Sequence, residues 1–263
     1  MATEFTKKEL TDEYIARREE LFAYLLRMTA SYGGAEDLVQ DIALIILENN
    51  LPQQSCNKMR EVLFKIAADL SLHHLQNDTL WSEDVQDMVM EEIFNDSALV
   101  NQLDSFKRFP KIDYSVEEHI SFCFNCLIRT LSPEQQAAFI LKELFLFSFS
   151  EVSEILEVNL PQIKKLIHSA RSSLNEIFTR RCLLISSQGY CRHCDALNWF
   201  YNPQTPKKIS RHLFKPPGGK HEENSRQFDR LIEIVKSVNP IRESSRCLHD
   251  FLYDLIISYN NPE

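Results

Sequence analysis

The chain has 263 residues and carries 29 basic against 38 acidic side chains, a net charge of −9. Only five residues are glycine while 44% are hydrophobic, a balance that suits a helical chain better than a turn-rich β fold. No apolar run reaches the roughly 18 residues of a membrane span, and the polar start MATEFTKKELTDEY does not read as a signal peptide, so an all-α, multi-module cytosolic protein without membrane insertion is expected. Seven cysteines in that setting are free thiols or metal ligands sooner than a disulfide framework.

In chain order, Leu21, Tyr24, Leu25 and Met28 give a first helical stripe, and Gly33-Gly34 is expected to break the chain after it. Ala35-Glu36-Asp37-Leu38-Val39-Gln40-Asp41-Ile42 opens a second helix that runs to about Glu48. Val62, Leu63, Ile66, Ala67, Leu70 and Leu75 line a third. An acidic stretch follows, with 3 basic and 11 acidic side chains over residues 77–126. Val85, Met88, Val89 and Ile93 mark one amphipathic helix in it, and Ile120, Phe124, Leu127 and Ile128 mark another. Phe109-Pro110-Lys111-Ile112-Asp113 forms an extended break between them. Cys123 and Cys126 read as core positions, because free cysteine behaves as a small hydrophobe.

The segment Leu131–Leu174 reads as three short helices, each with its own start signal. Ser132 is an N-cap with Pro133 at the first helical position and Gln135 three residues on. Ser148 stands three residues before Glu151, and Asn159 three before Gln162, with Pro161 in the first turn where its missing N–H costs little. Val152, Ile155 and Leu156 supply one apolar stripe, and Leu160, Ile163, Leu166, Ile167 and Leu174 another. Gln162, Lys164, Lys165, His168 and Arg171 are left for the outer faces of the last helix, which could then lie in a DNA major groove.

This segment resembles region 4 of the extracytoplasmic-function sigma factors, the promoter-reading subunits of bacterial RNA polymerase. The resemblance rests on Leu131-Ser132-Pro133-Glu134-Gln135, on Phe149 to Leu156, and on Ile163-Lys164 with His168-Ser169-Ala170-Arg171. A second resemblance, to region 2, covers Leu21–His74 in the expected order. It implies that Asp37, Gln40 and Asp41 face core RNA polymerase, and that His73 and His74 lie toward the −10 element of promoter DNA. Family members commonly have Asn where this chain has Asp69, and basic residues where it has Gln76-Asn77-Asp78. The resemblance divides the chain into a region 2-like domain (1–78), an acidic inter-region linker (79–126), a region 4-like helix-turn-helix domain (127–181) and a C-terminal extension (182–263). The linker reads as a connector whose helix packs on a neighbour, or as an acidic segment mimicking nucleic acid in the polymerase. The implied function is promoter-specific initiation, with an anti-sigma factor as a further partner. The departures at Asp69 and beyond keep a second reading open: a sigma-like regulator or polymerase-binding adaptor that does not melt promoters.

Beyond that segment lies Cys182-x8-Cys191-x2-Cys194 with His193 inside the final pair. Two thiolates at Cys-x2-Cys spacing can meet one zinc ion, and Cys182 and His193 could complete a tetrahedral set. Cys247, His212, His221 and His249 are alternative ligands, and a thiol sensor or a turn without ligand function remain open beside zinc. Lys207–Lys220 reads as a basic loop, followed by two amphipathic helices around Phe228–Val235 and Leu248–Ile256 that Asn239-Pro240 separates. Those helices either hold the two sigma-like regions inactive or form a hairpin that stabilises region 4. There is no Ser elbow, His-Glu-x2-His, Walker loop or dinucleotide fingerprint, so an enzyme is not expected.

Overall fold

A computed structural model describes residues 5–48, 58–76, 78–108, 114–203, 221–241 and 244–260, with side chains of the fifth segment from 224 onward. Phe109–Asp113, Asn77, His212 and the Lys207–Lys220 segment lie outside the described residues, as does the side chain of His221. The fold is all-α. Among the described residues there is no strand, and a single isolated bridge pairs Cys182 with Cys191. No helix of the described residues is long and apolar enough to cross a membrane. Two compact units form: Met1–Leu80 with Leu131–Arg171, and Trp81–Thr130 with Ser172–Glu263.

In the first unit, α1 (Lys7–Thr29), α2 (Tyr32–Glu48) and α3 (Met59–His74) pack together. Thr6 and Glu9 close a capping box at the start of α1. The break after α1 does not fall at Gly33-Gly34, which sit in the first turn of α2. It falls at Ala30, whose φ of 54° is left-handed. Side chains rather than glycines make this turn. Thr29 Oγ1 donates to the Leu25 carbonyl at 2.9 Å and accepts from Ser31 N at 3.2 Å, while Ser31 Oγ accepts from Gly34 N at 3.1 Å. Those bonds satisfy backbone groups that the helix ends leave over.

An aromatic cluster joins this trio to the helix-turn-helix. Tyr24 and Phe64 meet edge-on at 5.5 Å, Phe145 lies 5.8 Å from Tyr24, and Phe147 lies 5.0 Å from Phe64. Each such pair contributes about 0.5–1.5 kcal/mol beyond burial. Arg60 closes the cluster, its guanidinium 4.0 Å above the Phe147 ring while it donates to the Phe145 carbonyl at 3.1 Å.

In the second unit, α4 (Val85–Asn95), α5 (Ser97–Ser105) and α6 (Val116–Ile128) come from the acidic stretch. They pack with α10 (His193–Tyr201), α11 (His221–Ser237) and α12 (Arg246–Asn260). The apolar face of α11 is buried on α6, and α12 lies on α4. Phe122 of α6 stacks on His249 at 4.6 Å and touches Tyr253 at 4.5 Å. The Glu118 carboxylate accepts from the Ser244 and Ser245 backbone N–H groups, each at 3.0 Å, just before α12 begins. The acidic helices therefore have a structural role here as the bed on which the two C-terminal helices lie.

Candidate nucleic-acid interface and cysteine cluster

All three start signals of the helix-turn-helix are made. At α7 (Pro133–Phe139), Ser132 Oγ accepts from Gln135 N at 3.3 Å and Gln135 Oε1 accepts from Ser132 N at 3.1 Å. At α8 (Phe149–Leu156), Ser148 and Glu151 form the same reciprocal pair. At α9 (Leu160–Arg181), Asn159 Oδ1 accepts from Gln162 N at 3.0 Å. The turn between α8 and α9 is set by Glu157, left-handed at φ 52°, and by Ser153 Oγ donating to the Val158 carbonyl. Val152, Ile155, Ile163 and Ala170 are fully buried between the helices. Gln135 Nε2 donates to Ser169 Oγ at 3.0 Å, tying α7 to α9. At 22 residues α9 is no short helix, because Ile177 and Phe178 extend the buried stripe beyond Leu174.

On the outer side of α9, Gln162, Lys164, Lys165 and His168 are exposed. Arg171 is half-buried and donates to Glu143 at 3.1 Å, so it braces the helix-turn-helix. Lys142, which the sequence did not single out, stands with this group: its ammonium is 4.9 Å from the Phe149 ring, and that of Lys164 is 5.8 Å from the same ring. Lys142 lies in a π-helical turn, Ile140–Leu144, that continues α7. Cations around an exposed aromatic and two exposed polar side chains form a surface suited to phosphate contact with limited base readout.

The α2 positions Asp37, Gln40 and Asp41 share an exposed face with Leu44 and Leu47, which are 52% and 54% exposed. His73 and His74 are exposed at the end of α3. Asp69 is at the surface one turn earlier; partial burial raises its pKa, Lys65 opposes the rise and Glu157 adds to it. Two lysines tie α3 to the ends of α8: Lys58, the N-cap of α3, pairs with Glu151, and Lys65 within α3 pairs with Glu157, the C-cap of α8, at 2.8 Å. Glu151 is held down to a pKa of about 2, first by Lys58 and then by the Ser148 N–H.

In the second unit the chain leaves α9 and doubles back on itself. Gly189 passes so close to Cys182 that a Cβ there would lie 2.4 Å from the Cys182 carbonyl carbon, so only glycine fits. The Cys191 N–H donates to the Arg181 carbonyl at 2.8 Å, setting Cys182 and Cys191 side by side. Cys194 follows in the first turn of α10. All three line one cavity of about 30 Å³, and so does Cys123 from α6. The cluster thus takes in a cysteine that the sequence marked as core, while Cys126 is fully buried as expected. Burial, reinforced by the neighbouring cysteines, raises the Cys123 and Cys194 thiols well above their ordinary range, and burial pushes Cys182 up to about 12.

His193 is drawn elsewhere, its Nε2 lying 3.3 Å from Asp87. The other Asp87 oxygen lies 2.6 Å from Arg181, a side chain only 2% exposed that Asp84 also neutralises. Possible ligand atoms of Asp87, Cys191 and His193 all fall within 4.8 Å of one another. Of the other ligands weighed from sequence, Cys247 is exposed and His249 is fully buried against Phe122.

An all-helical chain with a capped helix-turn-helix and an exposed cationic recognition helix defines a protein of the helix-turn-helix DNA-binding class. Residues 121–174, from the middle of α6 through Leu174 of α9, match the family model "Sigma-70, region 4". That match is about one-fifth of the chain and supports a sigma-factor role in promoter recognition. Comparison with curated proteins gives no match.

Proposed function

We propose that this protein is a sigma factor of the extracytoplasmic-function type, which brings core RNA polymerase to a narrow set of promoters and uses no catalytic residue of its own. The observation that carries the proposal is the region 4 match lying over a helix-turn-helix whose α9 leaves Gln162, Lys164, Lys165 and His168 exposed. In this reading α9 enters the major groove of the −35 element, with Gln162 on a base edge and Lys164 and Lys165 on phosphates. The face of α2 made by Asp37, Gln40 and Asp41 meets the polymerase, and exposed Leu44 and Leu47 give that contact an apolar centre. An anti-sigma partner of the kind the resemblance implies would cover the same face. His73 and His74 lie toward the −10 element.

The second reading, a regulator that binds polymerase without melting promoters, draws on α3. Asp69 puts a carboxylate where DNA phosphates would pass, and Lys65 and the N-cap Lys58 are paired with Glu157 and Glu151. Run-off transcription with bacterial core polymerase, alongside a core-binding assay, separates the two readings. Promoter-specific transcripts support the sigma reading, and tight binding without transcripts supports the regulator. Absence of both overturns the proposal.

A further inference from the structure

We propose that Asp87, Cys191 and His193 hold a zinc ion that ties the first turn of α4 to the start of α10. This inference stands apart from the promoter-reading surface and does not rest on it. Among the described residues these three form the group whose possible ligand atoms all lie within 4.8 Å of one another. They come from two distant places in the sequence. Asp87 sits in the first turn of α4, and His193 opens α10. Gly189 admits the doubling back of the chain, and the Cys191 N–H, donating to the Arg181 carbonyl at 2.8 Å, fixes the backbone two residues before His193.

The spacing is that of ligands around one ion rather than of an ion pair. His193 Nε2 lies 3.3 Å from Asp87 Oδ1. A charge-assisted hydrogen bond between them would be about 2.7–2.9 Å long. Nitrogen and oxygen at their usual distances from a tetrahedral zinc stand about 3.3–3.5 Å apart, and zinc accepts thiolate, imidazole and carboxylate alike. The charges close as well. Arg181, 2.6 Å from the other Asp87 oxygen, is also neutralised by Asp84. Zinc and Arg181 then bring three positive charges against the three negative charges of Asp84, Asp87 and the Cys191 thiolate. The Arg181 contact orients the carboxylate and leaves Oδ1 for the ion, as supporting groups around metal ligands do. Cys191 and His193 also line the cavity of about 30 Å³, more than the roughly 10–15 Å³ that a water needs, so water completes the four-coordinate set. Cys123, Cys182 and Cys194 share that cavity but stand outside the ligand triad. On binding, the Cys191 thiol gives its proton to solvent and its sulfur donates an electron pair, so one proton leaves as one Zn²⁺ enters.

The test uses the full-length protein purified under reducing conditions, stripped with a chelator, dialysed and titrated with zinc chloride alone. One zinc per chain is expected by mass spectrometry of the metal, with the melting temperature rising as zinc is added, because the ion binds the folded form. X-ray absorption at the zinc edge should give one sulfur and three nitrogen or oxygen neighbours, read on the unaltered protein so that no variant need fold. His193→Ala and Cys191→Ser should each weaken retention against a chelator by more than the roughly 10- to 100-fold that losing a mere supporting contact costs. Cys123→Ser, Cys182→Ser and Cys247→Ser should retain the ion. No bound zinc, a shell with no sulfur or with more than one, or retention lost in Cys182→Ser but kept in His193→Ala would each overturn the assignment.

Discussion

Lys165 gives the most direct quantitative handle on the proposed interface. It is exposed on the second turn of α9 and carries no ion pair among the described residues, so its charge is available to a phosphate. Each phosphate neutralised by a protein cation adds about 0.9 to the slope of log affinity against log salt. Over a fourfold change in salt, one contact is therefore worth about 3.5-fold in affinity. Lys165→Ala in the holoenzyme should lower the slope of promoter binding by about one unit, shrinking the loss between low and high salt by that factor. Lys165→Glu should weaken binding further, through repulsion. The assay is fluorescence anisotropy of a labelled promoter fragment at four salt concentrations, with core-polymerase binding measured in parallel. An unchanged slope would refute the placement of Lys165 on the backbone, and an equal loss of polymerase binding would assign α9 a different task.

Three further outcomes follow from the local physics. Glu151 has its folded pKa lowered to about 2 from an ordinary 4.5. Its contribution to stability is thus present above pH 4.5 and lost as pH falls from there through about 2. Glu151→Gln should flatten that part of an acid-denaturation profile, and an unaltered profile would count against the Lys58 pairing. Leu146 is 70% exposed with φ 59°. Leu146→Gly relieves a left-handed backbone costing about 1–2 kcal/mol against a glycine entropy penalty of about 0.5–1 kcal/mol, so the melting temperature should rise slightly. Phe122 is 3% exposed and stacked on His249. Phe122→Ala should cost about 3–5 kcal/mol and free the C-terminal helices, read as faster hydrogen exchange in α12 with little change in α1.

What could be read from the sequence was what local chemistry decides. Ser132, Ser148 and Asn159 announce their helices because a cap and its partner are three residues apart, and the apolar stripes of α8, α11 and α12 bury as their spacing implies. The break after α1 was misplaced because glycines are stronger punctuation on paper than Thr29 and Ser31, whose side chains make the turn. The functional surfaces were harder to read. Arg171 belongs to the outward stripe of α9 by spacing, yet Glu143 claims it from 28 positions upstream. Lys142 joins the cationic group only through a π turn and the ring of Phe149. Cys123 has no ligand-like spacing to Cys182, 59 residues on, and only the packing of α6 against the turn brings it to the same cavity.

The central claim is that this chain directs RNA polymerase to promoters. Its most direct test is transcription by bacterial core polymerase from a randomised promoter library, with start sites and enriched sequences read by sequencing. The account predicts transcripts that depend on the protein and carry two conserved boxes upstream of the start. The box farther from the start should relax at one base pair in Gln162→Ala, which would cost about 1–3 kcal/mol of discrimination there. Transcripts with no enriched upstream box, or no protein-dependent transcripts at all, would contradict it.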